Sequence, residues 1–341
     1  MSAGLTMQGA VWGAAIAAFA AALCAGLIVV LRPVLRRYAL ARPNERSSHR
    51  EPTPQGGGIA VLLATIGAAS IGMLGSGVPV AAPLAIVLAA AVGMACVGAA
   101  DDIRPLAVIP RLLLQALAVA AVIFSLPDDL RVVPAAPWWL ERLSLFIGGL
   151  WFVNLVNFMD GLDWLTVAEV VPIAAALVLL GGLDALSPAG TIVALALGGA
   201  MIGFAYFNRP VAKLFLGDVG SLPIGLLLAW LLVLVAGSGH LAAALLLPLY
   251  YLADATITVL RRLVQGEPIW RSHRTHFYQR ATDCGFTVMQ VVTRVFAVNL
   301  GLAALALWSV MAHSAAADIV ALVCGAVLVG WLLRAFTRRR T

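Results

Sequence analysis

Apolar stretches of near-bilayer length recur along the whole chain, separated by short polar islands. Eleven of them are expected to be membrane-spanning helices, at about 10–31, 57–75, 80–100, 111–126, 144–158, 167–183, 189–207, 219–236, 240–260, 288–311 and 316–334. Each approaches the roughly 20 residues that cross a hydrocarbon core as helix, a form that satisfies its own backbone groups without water. The longest polar stretches reach about 25 residues, too short for a soluble domain between spans. One integral membrane domain over residues 1–341 is therefore expected, all-α and polytopic. The first span is read as retained, not as a cleaved signal peptide: no basic segment precedes it, and Arg32, Arg36 and Arg37 follow it.

Composition agrees, with 62% hydrophobic and 11% charged residues; a soluble chain of this length needs more charge on its surface. The charges that exist are placed one-sidedly. With the segment 32–56 in the cytoplasm and strict alternation from there, all of the 22 Lys and Arg except Arg131 and Arg142 fall on the inner side. The amino terminus is then outside and the carboxyl terminus cytoplasmic. The net charge of +6 is thus a topology signal that also suits anionic lipid, and it gives no reason to invoke nucleic acid. Cys24, Cys96, Cys284 and Cys324 lie far apart, without metal spacing or a disulfide framework.

The same orientation puts the chemically rich islands on the cytoplasmic face: 42–58, 101–111, 154–163, 208–221 and 261–280. Three of them carry carboxylates at the inner ends of spans, namely Asp101 and Asp102, Asp160 and Asp163, and Asp218. Asn154 and Asn157 stand beside the second pair. Oxygen-only clusters of this kind suit Mg²⁺, or Mn²⁺ as the other hard cation, and not zinc. Two other islands hold Arg46, His49, His273, Arg274 and His276. A hard cation with Arg and His points to phosphate, in particular a diphosphate. Gly217-Asp218-Val219-Gly220-Ser221 opens the eighth span, where helix amides can face anionic oxygen. Each island taken alone also reads as capping, loop solvation or interfacial charge; their meeting on one face is what favours chemistry. Asp254 lies within the ninth span and is read either as functional or as a structural partner of a helix-end arginine.

The segments "PNERSSH", "NFMDGLD", "GDVGS" and "HRTHFYQR", in this order with the Asp101-Asp102 pair, resemble the polyprenyl-phosphate N-acetylhexosamine-1-phosphate transferases (glycosyltransferase family 4), nearest to their O-antigen and capsule-initiating branch. The resemblance runs from about residue 42 to 280. It implies transfer of a sugar 1-phosphate from a UDP-N-acetylhexosamine to undecaprenyl phosphate, giving undecaprenyl-diphosphate-sugar and UMP. It further implies Mg²⁺ dependence, a multi-pass place in the bacterial inner membrane and compatibility with a homodimer. In the family's pattern Asn157 and Asp218 hold the metal, and Asp101 or Asp102 deprotonates or orients the lipid phosphate. Asp160 and Asp163 complete the catalytic acids, while Arg46, His49, Arg111, Asn154, His273, Arg274 and His276 bind substrate. A covalent phospho-aspartate route stays open. Two departures stand out. Ala41 replaces an acid of the first loop, and Trp164 replaces a small residue after Asp163. The indole is expected to narrow the sugar site or stack on a ring, favouring a small N-acetylhexosamine. The rival readings are the muramoyl-pentapeptide transferase of the same family and a lipid-linked-sugar flippase; the latter would place ionisable groups near the midplane of several spans.

The orientation is directly testable on a background free of the four native cysteines. Single cysteines replacing Glu45, Pro105, Pro210 and Trp270 are expected to react only from the cytoplasmic side, and one replacing Ala135 only from outside; reversed labelling at two of these sites overturns the topology.

Overall fold

The apolar runs fold as helices, whose limits are given by a computed structural model describing residues 7–41, 52–268 and 273–338. In chain order these are α1 (Met7–Tyr38), α2 (Gly57–Ser76), α3 (Ala82–Ile103), α4 (Val108–Ser125), α5 (Trp138–Met159), α6 (Leu165–Gly182), α7 (Pro188–Asn208), α8 (Asp218–Gly237), α9 (Leu241–Leu246), α10 (Leu249–Val264), α11 (Phe277–Asp283), α12 (Val288–Ala312) and α13 (Ala315–Phe336). Two short strands, β1 (Leu40–Ala41) and β2 (Thr53–Pro54), pair antiparallel. Among the described residues, ten helices are long and apolar enough to cross a membrane. The chain is an all-α polytopic membrane protein.

The ninth expected span departs from a continuous helix. It is broken into α9, of 6 residues, and α10, of 16. Pro248 accounts for the break: it has no N–H to give the preceding turn, and its ring clashes with the carbonyl four residues back. At 1.5 Å per residue the two pieces span only about 9 and 24 Å, so neither crosses alone. His240, just before α9, is close enough to feel the charges of His313 and Asp318 around the α12–α13 turn. Asp254 on α10 meets the opposite, basic face through His276. The two pieces in series therefore make the crossing.

The fifth span is longer than expected, reaching back to Trp138. Its first turns carry Glu141 and Arg142, charges that obscure a helix in a hydropathy reading. Both are buried and matched. Glu141 pairs with Arg131 and accepts from the amides of Val132 and Val133. Arg142 donates to the Pro127 carbonyl at 2.6 Å. Arg131 and Arg142, the two basic residues expected on the outer side, thus hold down the 127–137 connection.

The bundle is built around α8, the most buried of the spans, which packs against α3, α5, α2 and α9. Its start is crowded, and the sequence allows for this with glycine. A Cβ on Gly58 would lie 2.1 Å from the Gly220 Cα, and one on Gly98 would lie 2.3 Å from the Asp218 carbonyl carbon. Only glycine lets α2 and α3 approach α8 so closely. Gly98→Ala is therefore expected to push α3 off the start of α8 and destabilise by about 1–3 kcal/mol. Gly93 of the same helix is the control, because a methyl there would meet nothing within 4 Å. Thermal unfolding in detergent should show a lowered Tm for Gly98→Ala and none for Gly93→Ala.

Candidate active site at the basic face

Five chain-distant islands are stitched together around the first turn of α8. Phe215 donates its amide to the Pro54 carbonyl at 2.8 Å, and Gly57 and Gly58 donate to the carbonyls of Phe215 and Leu216 at 2.9 Å each. Gln55 Nε2 donates to the Asp102 carbonyl at 2.9 Å. These bonds join the described end of the first island to the second and fourth. The 154–163 island enters through Asn157, whose Nδ2 donates to Asp218 Oδ1 at 2.8 Å and to Ser221 Oγ at 2.9 Å. The fifth arrives through the Tyr278 hydroxyl, which donates to the Phe158 carbonyl at 3.0 Å.

Asp101 and Asp102 close α3, where the helix dipole disfavours acids. Both are compensated by neighbours. Asp102 turns to α8: Oδ1 accepts from the Asp218 amide at 3.0 Å and Oδ2 from the Val219 amide at 3.1 Å. It is an N-cap donated by another helix. Gly217 makes room, since a Cβ there would sit 2.5 Å from Asp102 Oδ2, and its φ of 78° also suits glycine. Asp101 accepts from the Leu106 amide at 2.6 Å and from Arg111 at 2.8 Å. Arg111 lies 3.9 Å from Asp218 as well. Asp101 and Asp218 are themselves within hydrogen-bonding reach. Two carboxylates thus share one guanidinium, with Asp102 close by on the start of α8, an arrangement with an excess of negative charge.

Asp160 follows α5 and is less committed. Its Oδ1 accepts from the Thr166 hydroxyl at 2.5 Å. Burial pushes its carboxyl up to about 7; the Thr166 bond opposes this, and the nearby Asp102 and Asp163 charges add to it. A carboxyl that titrates near neutrality is suited to exchange protons.

The histidine segment is organised by Asp254, fully buried on α10. Its Oδ1 accepts from the Phe277 amide at 2.9 Å and lies 3.2 Å from His276 Nδ1; its Oδ2 accepts from the Tyr278 amide at 3.1 Å. The helix-end arginine expected as a structural partner of Asp254 is not its partner: Asp254 meets the start of α11 and a histidine instead. His276 stacks between His273 and Tyr278, with ring centroids at 4.9 and 5.7 Å. Arg274 pairs with Asp283 at 3.3 Å.

Other expected site residues are bonded elsewhere, away from the first turn of α8. Asn154 is buried one turn before Asn157 and donates to Gln115 Oε1 at 2.9 Å. Asp163 accepts from the Ala212 amide at 2.9 Å. Trp164 has φ 64°, a left-handed conformation that explains why a small residue suits the position. Its indole donates to the Ala205 carbonyl on α7 at 2.6 Å, and its amide donates to Asn208. The ring is thus held by protein. Arg46 and His49 lie outside the described residues. Residues that the sequence pattern did not single out include Gln55, Thr166, Glu169, Tyr251 and Asn299. Polar Glu169 and Asn299 inside apolar spans were the available signal.

Fold and site define a polytopic membrane protein with a carboxylate-rich site at one membrane face. The sequence pattern of glycosyl transferase family 4 matches residues 84–236. The chain is 31% identical over 241 residues to a phospho-N-acetylmuramoyl-pentapeptide-transferase of Desulforamulus reducens, covering 63% of this chain and 71% of that one. It is 26% identical over 291 residues to a probable undecaprenyl-phosphate N-acetylglucosaminyl 1-phosphate transferase of Bacillus subtilis, covering 80% and 79%. It is 28% identical over 298 residues to a decaprenyl-phosphate N-acetylglucosaminephosphotransferase of Mycobacterium tuberculosis, covering 76% and 73%. The chain belongs to glycosyl transferase family 4.

Asp102→Asn tests the cap. An amide side chain offers one acceptor oxygen and sets an N–H against the second helix amide, a loss of about 1–3 kcal/mol. A clear fall in Tm is expected in thermal unfolding; an unchanged Tm would show that Asp102 does not hold α8.

Proposed function

We propose that the protein transfers N-acetylhexosamine 1-phosphate from a UDP-sugar to undecaprenyl phosphate in a bacterial inner membrane, releasing UMP and opening a cell-surface polysaccharide pathway of the O-antigen kind. The observation that carries this reading is the gathering of Asp101, Asp102, Arg111, Asn157 and Asp218 from four helices at the basic membrane face. A soluble nucleotide and the head of a lipid meet only at such a face. The names of the Bacillus subtilis and Mycobacterium tuberculosis relatives, which specify undecaprenyl and decaprenyl phosphate, support the same reaction.

Among the described residues no three His, Cys, Asp or Glu side chains form a metal cluster by themselves. The donors nevertheless fit a hard divalent cation. Asp101, Asp102 and Asp218 crowd together beside the single charge of Arg111, and Asn157 adds an amide oxygen donor. Asn157 and Asp218 are the residues that would hold Mg²⁺, which when bound would neutralise diphosphate charge.

The chain's own groups then divide the remaining work. Asp102 is committed to two helix amides, bonds to a charged group worth about 1.5–3 kcal/mol each, so using it as a base would loosen α8. Asp160, held by Thr166, is the better placed acid to accept a proton from, or orient, the lipid phosphate. Arg111 and the histidine segment supply positive charge for the departing UMP. Because the transfer makes little demand for covalent help, positioning carries most of the rate. The muramoyl-pentapeptide reading shares this whole site and differs in the sugar. With the indole of Trp164 bonded to α7, the choice of sugar passes to the assay.

Membranes containing the protein, supplied with labelled UDP-sugars and undecaprenyl phosphate, are expected to form a labelled lipid diphosphate with UMP. Asp218→Asn should lower turnover by about 10²-fold or more while the protein stays folded and inserted. Near wild-type turnover of that variant at saturating Mg²⁺ would sink the assignment of Asp218, and absence of product with every UDP-N-acetylhexosamine and with the muramoyl-pentapeptide nucleotide would sink the reaction.

A further inference from the structure

A buried polar path leads from Asp160 away from the site, through residues that the proposed reaction does not use. Thr166 gives its one hydroxyl hydrogen to Asp160 Oδ1 at 2.5 Å. Its oxygen can then only accept, and the Tyr251 hydroxyl donates to it at 3.4 Å. Tyr251 stands in the first turn of α10, just past the break at Pro248, where the helix has amides without internal partners. The Tyr251 amide lies near Glu169 of α6, whose Oε1 has no hydrogen-bond partner among the described residues. Asn299 of α12 locks Glu169 in turn, donating from Nδ2 to Oε2 at 2.6 Å and to the Ala168 carbonyl at 3.0 Å. Thr166, Glu169, Tyr251 and Asn299 are each at most 2% exposed. Burying four such side chains in a bundle that could be apolar needs a reason beyond packing, because each is costly unless bonded.

The direction of the bonds supplies one. Every hydrogen along the path has a single acceptor, so the position of α10 dictates which oxygen of Asp160 is bound. Oδ1 is held and Oδ2 is left for whatever reacts. We infer that Thr166 is a positioning residue for Asp160 in the transfer proposed above and that Tyr251, at the start of the second piece of the broken crossing, orients the Thr166 hydroxyl. The inference rests on that reaction and deepens it: the break in the ninth crossing and the acid at the site are parts of one rigid assembly.

The test uses the full-length protein in detergent, with UDP-sugar and polyprenyl phosphate varied separately. Thr166→Val keeps the shape and deletes the donor. Its kcat should fall about tenfold or more, as loss of orientation alone allows, with both KM values and Tm close to those of the unsubstituted protein. Thr166→Ser, which restores the hydroxyl, should recover most of that loss. Tyr251→Phe should lower kcat by a smaller factor, again without moving either KM. A group that only packs would change Tm along with kcat and would not be rescued by serine. Thr166→Val turning over at the normal rate, or Thr166→Ser no better than valine, overturns the positioning role and leaves the transfer reaction standing. If Thr166→Val does not fold, an unchanged kcat in Tyr251→Phe overturns it instead. An unsubstituted protein without transfer activity overturns the reaction and the positioning role with it.

Discussion

A carboxylate from one helix receiving the first amides of another is the interaction on which this structure depends. It occurs twice, and each time it fixes something that apolar packing alone leaves free. Asp102 holds the start of α8 and Asp254 the start of α11. Lipid-facing helices slide and rotate at little cost, because hydrocarbon is as apolar as their side chains. A charged acceptor bonded to two amides does not slide, since parting them strands a charge and two donors in a poor solvent. The pairs therefore set the registers of α8 and α11, and those registers set where Asp218 meets Asn157 and where His276 sits against Asp254.

The charge pattern around α8 follows from the same constraint. Acids at the end of α3 and an arginine in the first turn of α4 both oppose their own helix dipoles, at about 0.3–1 kcal/mol each. They are tolerated because each finds its partner on a different element: Asp102 on α8, and Asp101 and Arg111 on each other across the short α3–α4 connection. The glycines at 58, 98, 217 and 220 bring the backbones close enough for those partnerships. What remains uncompensated is the surplus of carboxylates beside Arg111, and that surplus is what the proposed hard cation would offset.

How much of this was legible in the sequence depends on the kind of physics involved. Hydropathy and the distribution of arginine report solvent, so the spans could be read directly, and the gathering of the polar islands could be expected from their shared side. The Pro248 break was less visible, because apolar residues flank it and the hydropathy does not dip. Glu141 and Arg142 concealed the start of α5 for the opposite reason: their neutralising partners sit in a neighbouring connection. Asp254 could be recognised as unusual, but its partners are backbone amides 23 and 24 residues away, which no spacing rule reveals. Trp164 was conspicuous as a large side chain, whereas its left-handed backbone, which belongs to the turn rather than to the indole, could not be seen. The path through Thr166 and Tyr251 joins hydroxyls 85 residues apart and is a purely tertiary fact.

The break between α9 and α10 also bears on how the chain is assembled. A helix that begins inside the bilayer brings polar groups that need partners there, and the Thr166 hydroxyl, which accepts from Tyr251 in its first turn, is on α6. That helix precedes α10 in the chain and so enters the membrane before it is made. Asn299, which bonds Glu169 and the Ala168 carbonyl of the same helix, arrives afterwards on α12. Biogenesis of the ninth crossing is thereby templated from both directions in time: an earlier helix supplies the seat, and a later one closes over it.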